Sequence, residues 1–297
     1  MSPFLSIIIP LYNKQNYILK TVNSVLSQDF DDYEIIVVDD GSTDNSVKVV
    51  ESITDIHIRL FRKENGGPSS ARNYGARMAK GEWILFLDAD DKLVPNTLSF
   101  AEKLIKQKKN VDVFTFNLYT ERNNTLQISR PFHATGRVYF PFLYWYLEKI
   151  YPRTGNVIAK RKVFLDNPYN EKTFRHEDTE NTFCLMGKYK FYACEESLFV
   201  YNQETLEASH GRKNLNEDFC CVMKPKGKPI FQQLAMYKLY RDDTSYIYPH
   251  DSANMYIGEF NLKRIERWEK NIRIYKKNIR RINRIVSHII PQKSINT

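Results

Sequence analysis

Residues 5–14 read LSIIIPLYNK, and this stretch decides the fold class. The first five residues are a mainly apolar, β-branched run, which is typical of a strand buried on both faces. Pro10 ends the run. A helix is predicted next, from Tyr17 to Gln28, because apolar residues recur there on one face. The chain therefore begins as a buried strand followed by an amphipathic helix.

The same alternation of strand and helix continues to about residue 116. The predicted strands are Glu34–Val38, Ile56–Phe61, Trp83–Leu87 and Val111–Phe116. The predicted helices are Ser70–Ala79 and Asn96–Gln107, with a further helix opening at Asn45 and Ser46. Apolar strands separated by helices predict an α/β fold with a mostly parallel central sheet flanked by helices.

Polar residues follow the predicted strands where those strands end. Residues 10–13 read PLYN, residues 39–41 read DDG and residues 88–90 read DAD. Sheets of this class bind ligands beyond the carboxyl ends of their strands. The candidate site is therefore expected at this edge of the sheet.

Asp88 and Asp90 are two residues apart at the end of a predicted strand. The alternation of side chains along a strand would place both carboxylates on the same side. Two such oxygen ligands suit a hard divalent cation, Mg²⁺ or Mn²⁺, that is also held by the phosphates of a ligand. Aspartates also cap turns through their own backbone hydrogen bonds, so a structural role stays open.

A second group of acids, HEDTE at residues 176–180, precedes a helix-like stretch. Crowded carboxylates raise one another's pKa, and such a group can take a proton from a hydroxyl. The acids can equally stabilise the positive end of the helix dipole. Both interpretations remain open from these residues alone.

Four blocks in order, SIIIPLYNK (6–14), IIVVDDGSTD (35–44), NGGPSSARN (65–73) and FLDADD (86–91), resemble the successive motifs of family 2 glycosyltransferases with the GT-A fold. The similarity is strongest over residues 4–110. Glu177 and Asp178, followed by Phe183, extend it to about residue 205. The resemblance implies the GT-A nucleotide-diphospho-sugar transferase fold, with a helical extension at the carboxyl end of the chain.

The resemblance also implies an activity and its residues. The activity is inverting transfer of a hexose or N-acetylhexosamine from a nucleotide diphosphate donor, usually UDP, to a hydroxyl of a saccharide or lipid-linked acceptor. Asp178 would be the general base, and the adjacent Glu177 would orient the acceptor or the base. The nucleotide would be bound by Pro10, Tyr12, Asp40, Arg72, Asp88 and Ala89.

Within that set, Asp40 would read a ring N–H of uracil and Asp88 would face the ribose. A divalent cation, Mn²⁺ or Mg²⁺, would bind Asp90, with His210 as an additional ligand. The chain departs from the family pattern at Gln203, where many relatives carry a basic residue near the diphosphate. Arg212 or Lys213 is a candidate replacement.

The composition is that of a globular protein, with 42% hydrophobic and 27% charged residues. This argues against a disordered or collagen-like chain. No apolar run approaches the length of a spanning helix, and we identify no secretion signal. The four cysteines show no metal-binding spacing. The expected location is the cytoplasm, with peripheral association at the inner face of the cell membrane as an extension of that prediction.

The net charge of +9 is concentrated near the carboxyl end of the chain. Residues 263–284 contain ten Lys or Arg against two Glu, a local excess of +8 that leaves about +1 elsewhere. Apolar residues from Ile265 to Ile289 follow spacings of three and four, which predicts a helix over about residues 260–290. The helix is expected either to pack on protein, including a second subunit, or to lie on an anionic membrane surface.

We therefore expect a catalytic domain over residues 1–210 and a helical extension over residues 211–297. The catalytic domain would divide into a nucleotide-binding half, 1–115, and an acceptor half, 116–210. The function expected is a step in surface polysaccharide or glycolipid synthesis. A nucleotidyltransferase is the enzymatic alternative, although PLYNK lacks the glycines of a phosphate loop. A nucleic-acid-binding protein is the other alternative, and no recognised binding motif supports nucleic acid as a partner.

Overall fold

A computed structural model describes residues 2–123, 125–129, 135–173, 176–203, 227–246 and 263–273. The chain divides into two compact units, residues 1–223 and 224–297. The catalytic domain expected over residues 1–210 falls within the first unit, and the boundary at residue 210 stays a prediction. His210, Arg212 and Lys213 lie outside the described residues.

The first unit is built on a sheet whose amino-terminal part is parallel. Its strands in sequence order are β1 (Leu5–Leu11), β2 (Tyr33–Asp39), β3 (Ile58–Arg62) and β4 (Trp83–Phe86). They lie in the spatial order β3-β2-β1-β4, and each neighbouring pair is parallel. The side chains of β2 and β4 are buried along their whole length, as the continuous apolar runs predict.

The second half of the chain extends the same sheet. Its strands are β5 (Lys92–Leu93), β6 (Val113–Arg122), β7 (Thr125–Ser129), β8 (Gly136–Val138), β9 (Val157–Lys160) and β10 (Phe191–Asn202). The sheet continues from β4 in the order β9-β6-β10-β5, with β7 and β8 beside β6 and β10. β9 is antiparallel to both β4 and β6, whereas β6 and β10 are parallel. The predicted α/β fold with flanking helices is confirmed, and the sheet is parallel from β3 to β4 and mixed beyond β4.

The helices that flank the sheet bury one face each. They are α1 (Ile18–Leu26), α2 (Ser46–Glu51), α3 (Pro68–Met78), α4 (Thr97–Gln107), α5 (Pro141–Tyr146), α6 (Arg161–Asp166) and α7 (Glu177–Lys188). The helix α1 buries Ile18, Val22 and Val25, the apolar stripe expected from its sequence. The helix α3 packs so closely that a Cβ at Gly75 would lie 2.4 Å from Ile8 Cγ2. Glycine therefore permits this approach of α3 to β1.

Two local predictions are wrong. Ile56 does not begin the third strand: it is 94% exposed in the preceding turn, and β3 starts at Ile58. The fourth strand ends at Phe86, so Asp88 and Asp90 lie in a turn and the alternation of strand side chains does not place them. The polar His57 separates Ile56 from β3, whereas β4 ends one residue before its apolar run does, since Leu87 is still buried.

In the second unit the structure describes α8 (Ile230–Tyr246) and a helix over residues 263–273. Ile265 and Ile272 are buried, and Trp268 packs edge-on against Phe231 of α8 with ring centroids 5.5 Å apart. The first residues of the apolar repeat predicted from Ile265 to Ile289 are therefore helical and buried. The rest of the repeat lies outside the described residues. Among the described helices, none combines the length and the apolar character needed to cross a membrane.

Candidate active site

The acidic loops predicted to form the site do meet at the carboxyl-terminal edge of the sheet. The segments after β1, β2 and β4 lie there because these three strands are parallel neighbours. The first turn of α7 joins them through an ion pair between Arg72 and Glu177. Residues far apart in the sequence are thus brought to one edge of the sheet.

Asp40 follows β2 and is 3% exposed. Lys63 Nζ lies 2.6 Å from Oδ1, and the backbone N–H groups of Gly66 and Gly67 donate to the carboxylate. Gly67 has φ of 85°, a conformation that favours glycine, so this loop can turn its N–H groups toward the acid. The Asp40 carboxylate is held rigidly by groups of this chain.

Pro10 and Tyr12 lie at the end of β1, close to this loop in the sheet. Pro10 is half-buried, and the Tyr12 side chain is exposed at 46%. An exposed aromatic ring at a ligand-binding edge offers a stacking surface, although a single exposed aromatic residue is common on protein surfaces.

The turn after β4 holds three acids with different surroundings. Arg72 Nη2 lies 2.9 Å from Asp88 Oδ1, and Lys14 Nζ lies 2.6 Å from Asp90 Oδ2. Ala89 is buried between them, and its carbonyl oxygen accepts a hydrogen bond of 2.9 Å from the Thr21 hydroxyl. This bond fixes the turn on α1. Asp88 and Asp90 are consequently held by different cations.

Asp91 is a buried acid to which the sequence analysis assigned no role. Its Oδ1 accepts the backbone N–H of Asn202 at 3.0 Å. Burial raises the pKa of Asp91 well above its usual range, and the nearby charges of Asp88 and Asp90 raise it further. In the sequence Asp91 is only the third acid of DADD and looks like one more polar turn residue, so its burial is not indicated.

The three acids in the first turn of α7 have distinct partners. Glu180 accepts from the Thr173 hydroxyl at 2.6 Å and therefore has a structural role. Glu177 pairs with Arg72 at 3.0 Å. Asp178 accepts only from Thr179, on Oδ1, among the described residues. Asp178 Oδ2 is left without a protein partner in this part of the chain.

Arg72 is the residue that joins the two acidic segments. It is buried, and its guanidinium donates hydrogen bonds to Asp88 and Glu177. The guanidinium carbon lies 5.3 Å from the centre of the Tyr169 ring. Burial alone would lower the pKa of this guanidinium, but the two carboxylates outweigh that effect and raise its pKa. Burial raises the pKa of Glu177 despite this pairing, and Asp178 adds to the rise. The rise at Glu177 thus comes first from burial, and the repulsion between acids that the sequence predicts is the smaller cause.

The surroundings of Asp90 fit a hard divalent cation. The carboxylate already holds the Lys14 ammonium, and the charge of Asp88 acts together with that of Asp90 on the neighbouring Asp91. Within the described residues, no three His, Cys, Asp or Glu side chains are grouped to enclose a metal ion. A cation bound here would therefore draw its remaining ligands from phosphate and water, as Mg²⁺ commonly does.

Comparison with known proteins identifies related chains. The sequence model of "Glycosyl transferase family 2" matches residues 6–193. Glycosyltransferase GlyG of Streptococcus pneumoniae is 38% identical over 122 residues, covering 40% of this chain and 40% of GlyG. The chain spans about a fifth to two fifths of the length of GlyG and of three Rickettsia glycosyltransferases that it also matches.

Solved structures share the fold. S. aureus TarS 1–349, in complex with UDP-GlcNAc, superposes with a TM-score of 0.67 at 22% identity, covering 82% of this chain and 73% of that one. Mannosyltransferase PcManGT from Pyrobaculum calidifontis, in complex with GDP-Man and Mn²⁺, has a TM-score of 0.54 at 16% identity, with coverage of 83% and 76%. The chain therefore has the GT-A fold.

Proposed function

The chain belongs to glycosyl transferase family 2, and from this premise we propose that it transfers a sugar from a nucleoside diphosphate donor to an acceptor hydroxyl, with inversion at the anomeric carbon. Membership in this family favours sugar transfer over the two alternatives, nucleotidyl transfer and nucleic-acid binding. The proposed donor is a UDP-linked hexose or N-acetylhexosamine.

The observation that carries the proposal is the contrast between the acids at the start of α7. Glu180 is occupied by Thr173 and Glu177 by Arg72, whereas Asp178 Oδ2 has no partner among the described residues. A general base needs a free oxygen that can reach the proton it removes. Asp178 meets this requirement, and the hydrogen bonds from Thr179 to Oδ1 orient the carboxylate.

The reaction follows from one base and one leaving group. Asp178 takes the proton of the acceptor hydroxyl, whose oxygen forms a bond to the anomeric carbon. The bond from that carbon to the diphosphate oxygen breaks, and its electron pair remains on the diphosphate. A single displacement of this kind inverts the configuration, so no second base is required. Glu177, held by Arg72, positions the acceptor or the base.

The nucleotide is proposed to bind across the ends of β1, β2 and β4. Tyr12 and Pro10 would contact the base, Asp88 would face the ribose, and Arg72 and Ala89 would shape the pocket behind it. Asp40 accepts bonds from Lys63 and two loop amides, so recognition of a uracil N–H would require one of these donors to share the carboxylate. The complex of TarS with UDP-GlcNAc supports the choice of UDP.

A divalent cation, Mn²⁺ or Mg²⁺, is proposed at Asp90, with His210 as a second candidate ligand. The bound cation would neutralise negative charge on the departing diphosphate. A cation bound through Asp90 Oδ2 would compete with the Lys14 ammonium for that oxygen. The Mn²⁺ in the PcManGT complex supports this assignment.

The acceptor is proposed to be a saccharide or a lipid-linked saccharide in surface polysaccharide or glycolipid synthesis. The helix over residues 263–273 buries Ile265 and Ile272 and exposes Arg267, Lys270 and Arg273. Exposed basic residues of this kind attract anionic headgroups. They support the proposal of a cytoplasmic enzyme at the inner membrane face. The competing proposal is a homodimer formed through the apolar repeat from Ile265 to Ile289.

Replacement of the base tests the function. A panel of nucleotide sugars with Mn²⁺ is first screened for release of the nucleoside diphosphate. With the donor identified, Asp178→Asn is expected to reduce turnover by about 100-fold or more, because general base catalysis typically contributes that much. Affinity for UDP, measured by calorimetry, should change less than about twofold, since a carboxamide preserves the shape of the side chain and removes the basic oxygen.

The matched control is Asp166→Asn, an exposed aspartate at the end of α6. It should leave both turnover and UDP affinity unchanged. Wild-type turnover by the Asp178→Asn enzyme would refute the assignment of the base. Failure of every nucleotide sugar in the panel to react would contradict the proposed function itself.

A further inference from the structure

One cation beside the acidic turn remains without a carboxylate partner. Lys14, Lys63 and Arg72 are each paired with an acid of the site. Arg153, in the loop before β9, makes no ion pair within the described residues. Its guanidinium instead lies over the Tyr201 ring, a cation–π contact that does not use its N–H donors in an ion pair.

The position of Arg153 is set by β10. The guanidinium carbon lies 4.1 Å from the centre of the Tyr201 ring. The next residue, Asn202, donates its backbone N–H to Asp91 at 3.0 Å. On the other side, a Cβ at Gly155 would lie 3.6 Å from Asp91 Oδ2. Arg153 therefore belongs to a loop that lies directly against the DADD turn.

The loop is anchored by hydrogen bonds within the chain. The backbone N–H of Arg153 donates to Asn156 Oδ1 at 2.8 Å. The side-chain amide of Asn156 donates to the backbone carbonyl oxygens of Phe116 and Tyr151. The Thr154 and Tyr169 hydroxyls are 3.0 Å apart. Tyr169 is the ring beneath Arg72, so the two arginine–tyrosine pairs are connected through this bond.

The electrostatics agree with this placement. Burial raises the pKa of Tyr201 to about 12, and the charge of Arg153 opposes the rise. Arg153 likewise opposes the rise in the pKa of Asp91. The placement itself rests on the contacts of Gly155 and Asn202 with Asp91, and no described carboxylate is within ion-pair distance of the guanidinium.

We propose that Arg153 binds the β-phosphate of the nucleotide donor and carries part of its charge as the sugar leaves. The inference rests on the proposed function. Arg72 is already used by two carboxylates, whereas Arg153 presents a planar set of donors that matches phosphate oxygens. As the bond from the anomeric carbon to the β-phosphate oxygen breaks, that oxygen gains negative charge, which the guanidinium stabilises. Gln203, at the end of β10, has no charge for this task.

The test compares UDP with UMP, which lacks the β-phosphate. Calorimetry with Mn²⁺ is performed on the full chain as wild type, Arg153→Met and Arg153→Lys. We expect Arg153→Met to weaken UDP binding about tenfold or more, because it removes charge-assisted hydrogen bonds. UMP binding should change less than about twofold. Arg153→Lys keeps the charge without the planar fork, so its loss of UDP affinity should be intermediate.

Arg137→Met, an exposed arginine on β8, is the matched control and should bind both nucleotides as the wild type does. Unchanged UDP affinity in Arg153→Met would overturn the inference while leaving the proposed function intact. Equal losses for UDP and UMP would also overturn it, because they would indicate a structural role. If Arg153→Met does not fold, the ratio of UDP to UMP affinity in Arg153→Lys decides in the same way. A wild-type chain that binds no UDP would refute the inference and the proposed function together.

Discussion

The pKa values of buried carboxylates are shifted in opposite directions at the two edges of the central sheet. At the amino-terminal edge, Glu34 on β2 accepts hydrogen bonds from the Ser6 hydroxyl, the Lys80 N–H and Arg59. Burial would raise the pKa of Glu34, but these donors outweigh it and lower the pKa. At the carboxyl-terminal edge, burial raises the pKa of Asp91 and Glu177, and the charges of neighbouring carboxylates add to the rise.

The difference favours a structural role for the amino-terminal edge and agrees with the proposed site at the carboxyl-terminal edge. A carboxylate surrounded by donors stabilises the folded state, and Glu34 ties β1, β3 and the end of α3 to one point. Carboxylates that crowd together cost stability and attract a cationic ligand. Only Arg72 neutralises two acids at the functional edge among the described residues. The comparison predicts that the two edges respond differently to mutation.

The largest effect is expected from Arg72→Met. The substitution leaves Asp88 and Glu177 without their shared cation, and removal of one partner from a buried ion pair typically costs about 3–5 kcal/mol. Urea unfolding should therefore show a loss of about 3 kcal/mol in the free energy of unfolding. Sugar transfer should also be lost, because Glu177 and the DADD turn would no longer be held together.

Arg77→Met is the control for this variant, since Arg77 lies on the same helix and is exposed. It should unfold within about 0.5 kcal/mol of the wild type, as surface substitutions usually do. A change of similar size in Arg72→Met would show that the functional edge does not depend on this guanidinium.

A smaller effect, confined to stability, is expected from Glu34→Gln. Loss of charge-assisted hydrogen bonds should lower the free energy of unfolding by about 2 kcal/mol at pH 7. Since the pKa of Glu34 is lowered by folding, its contribution is present above the unfolded-state pKa of about 4.3 and is lost as the pH falls through the folded-state value. The difference between wild type and variant should therefore shrink in acid.

The affinity for UDP is the second measurement on the Glu34→Gln variant. Glu34→Gln should bind UDP as the wild type does, because the residue lies at the edge remote from the candidate site. A weaker affinity for UDP, or a stability difference that does not change between pH 7 and pH 3, would break the proposed separation between the edges.

The sequence predicts the fold best where structure depends on local periodicity. The buried run at residues 5–9 and the alternation to residue 116 identify β1–β4 and their helices. The reason is that the spacing of apolar residues within each element predicts which of its faces is buried. The antiparallel insertion of β9 and the added strands β5, β7, β8 and β10 depend on long-range pairing. Short strands in a mixed sheet carry little periodic signal of their own.

The candidate site shows the same limit. The motifs identify Asp40, Asp88, Asp90 and Asp178 as candidates, but they do not state which cation each acid meets. Arg72 and Glu177 are 105 residues apart, and their contact depends on how α3 and α7 pack. Asp91 and Arg153 were missed for this reason, since their character comes from burial and from neighbours on other elements.

The most direct test of the central claim, that the acidic loops form one site for a cation and a nucleoside diphosphate, is anomalous diffraction from crystals grown with UDP and Mn²⁺. The account predicts a manganese peak that contacts Asp90 and the diphosphate, with Lys14 Nζ displaced from that carboxylate. A manganese ion bound away from Asp90, or UDP bound away from the ends of β1, β2 and β4, would contradict it.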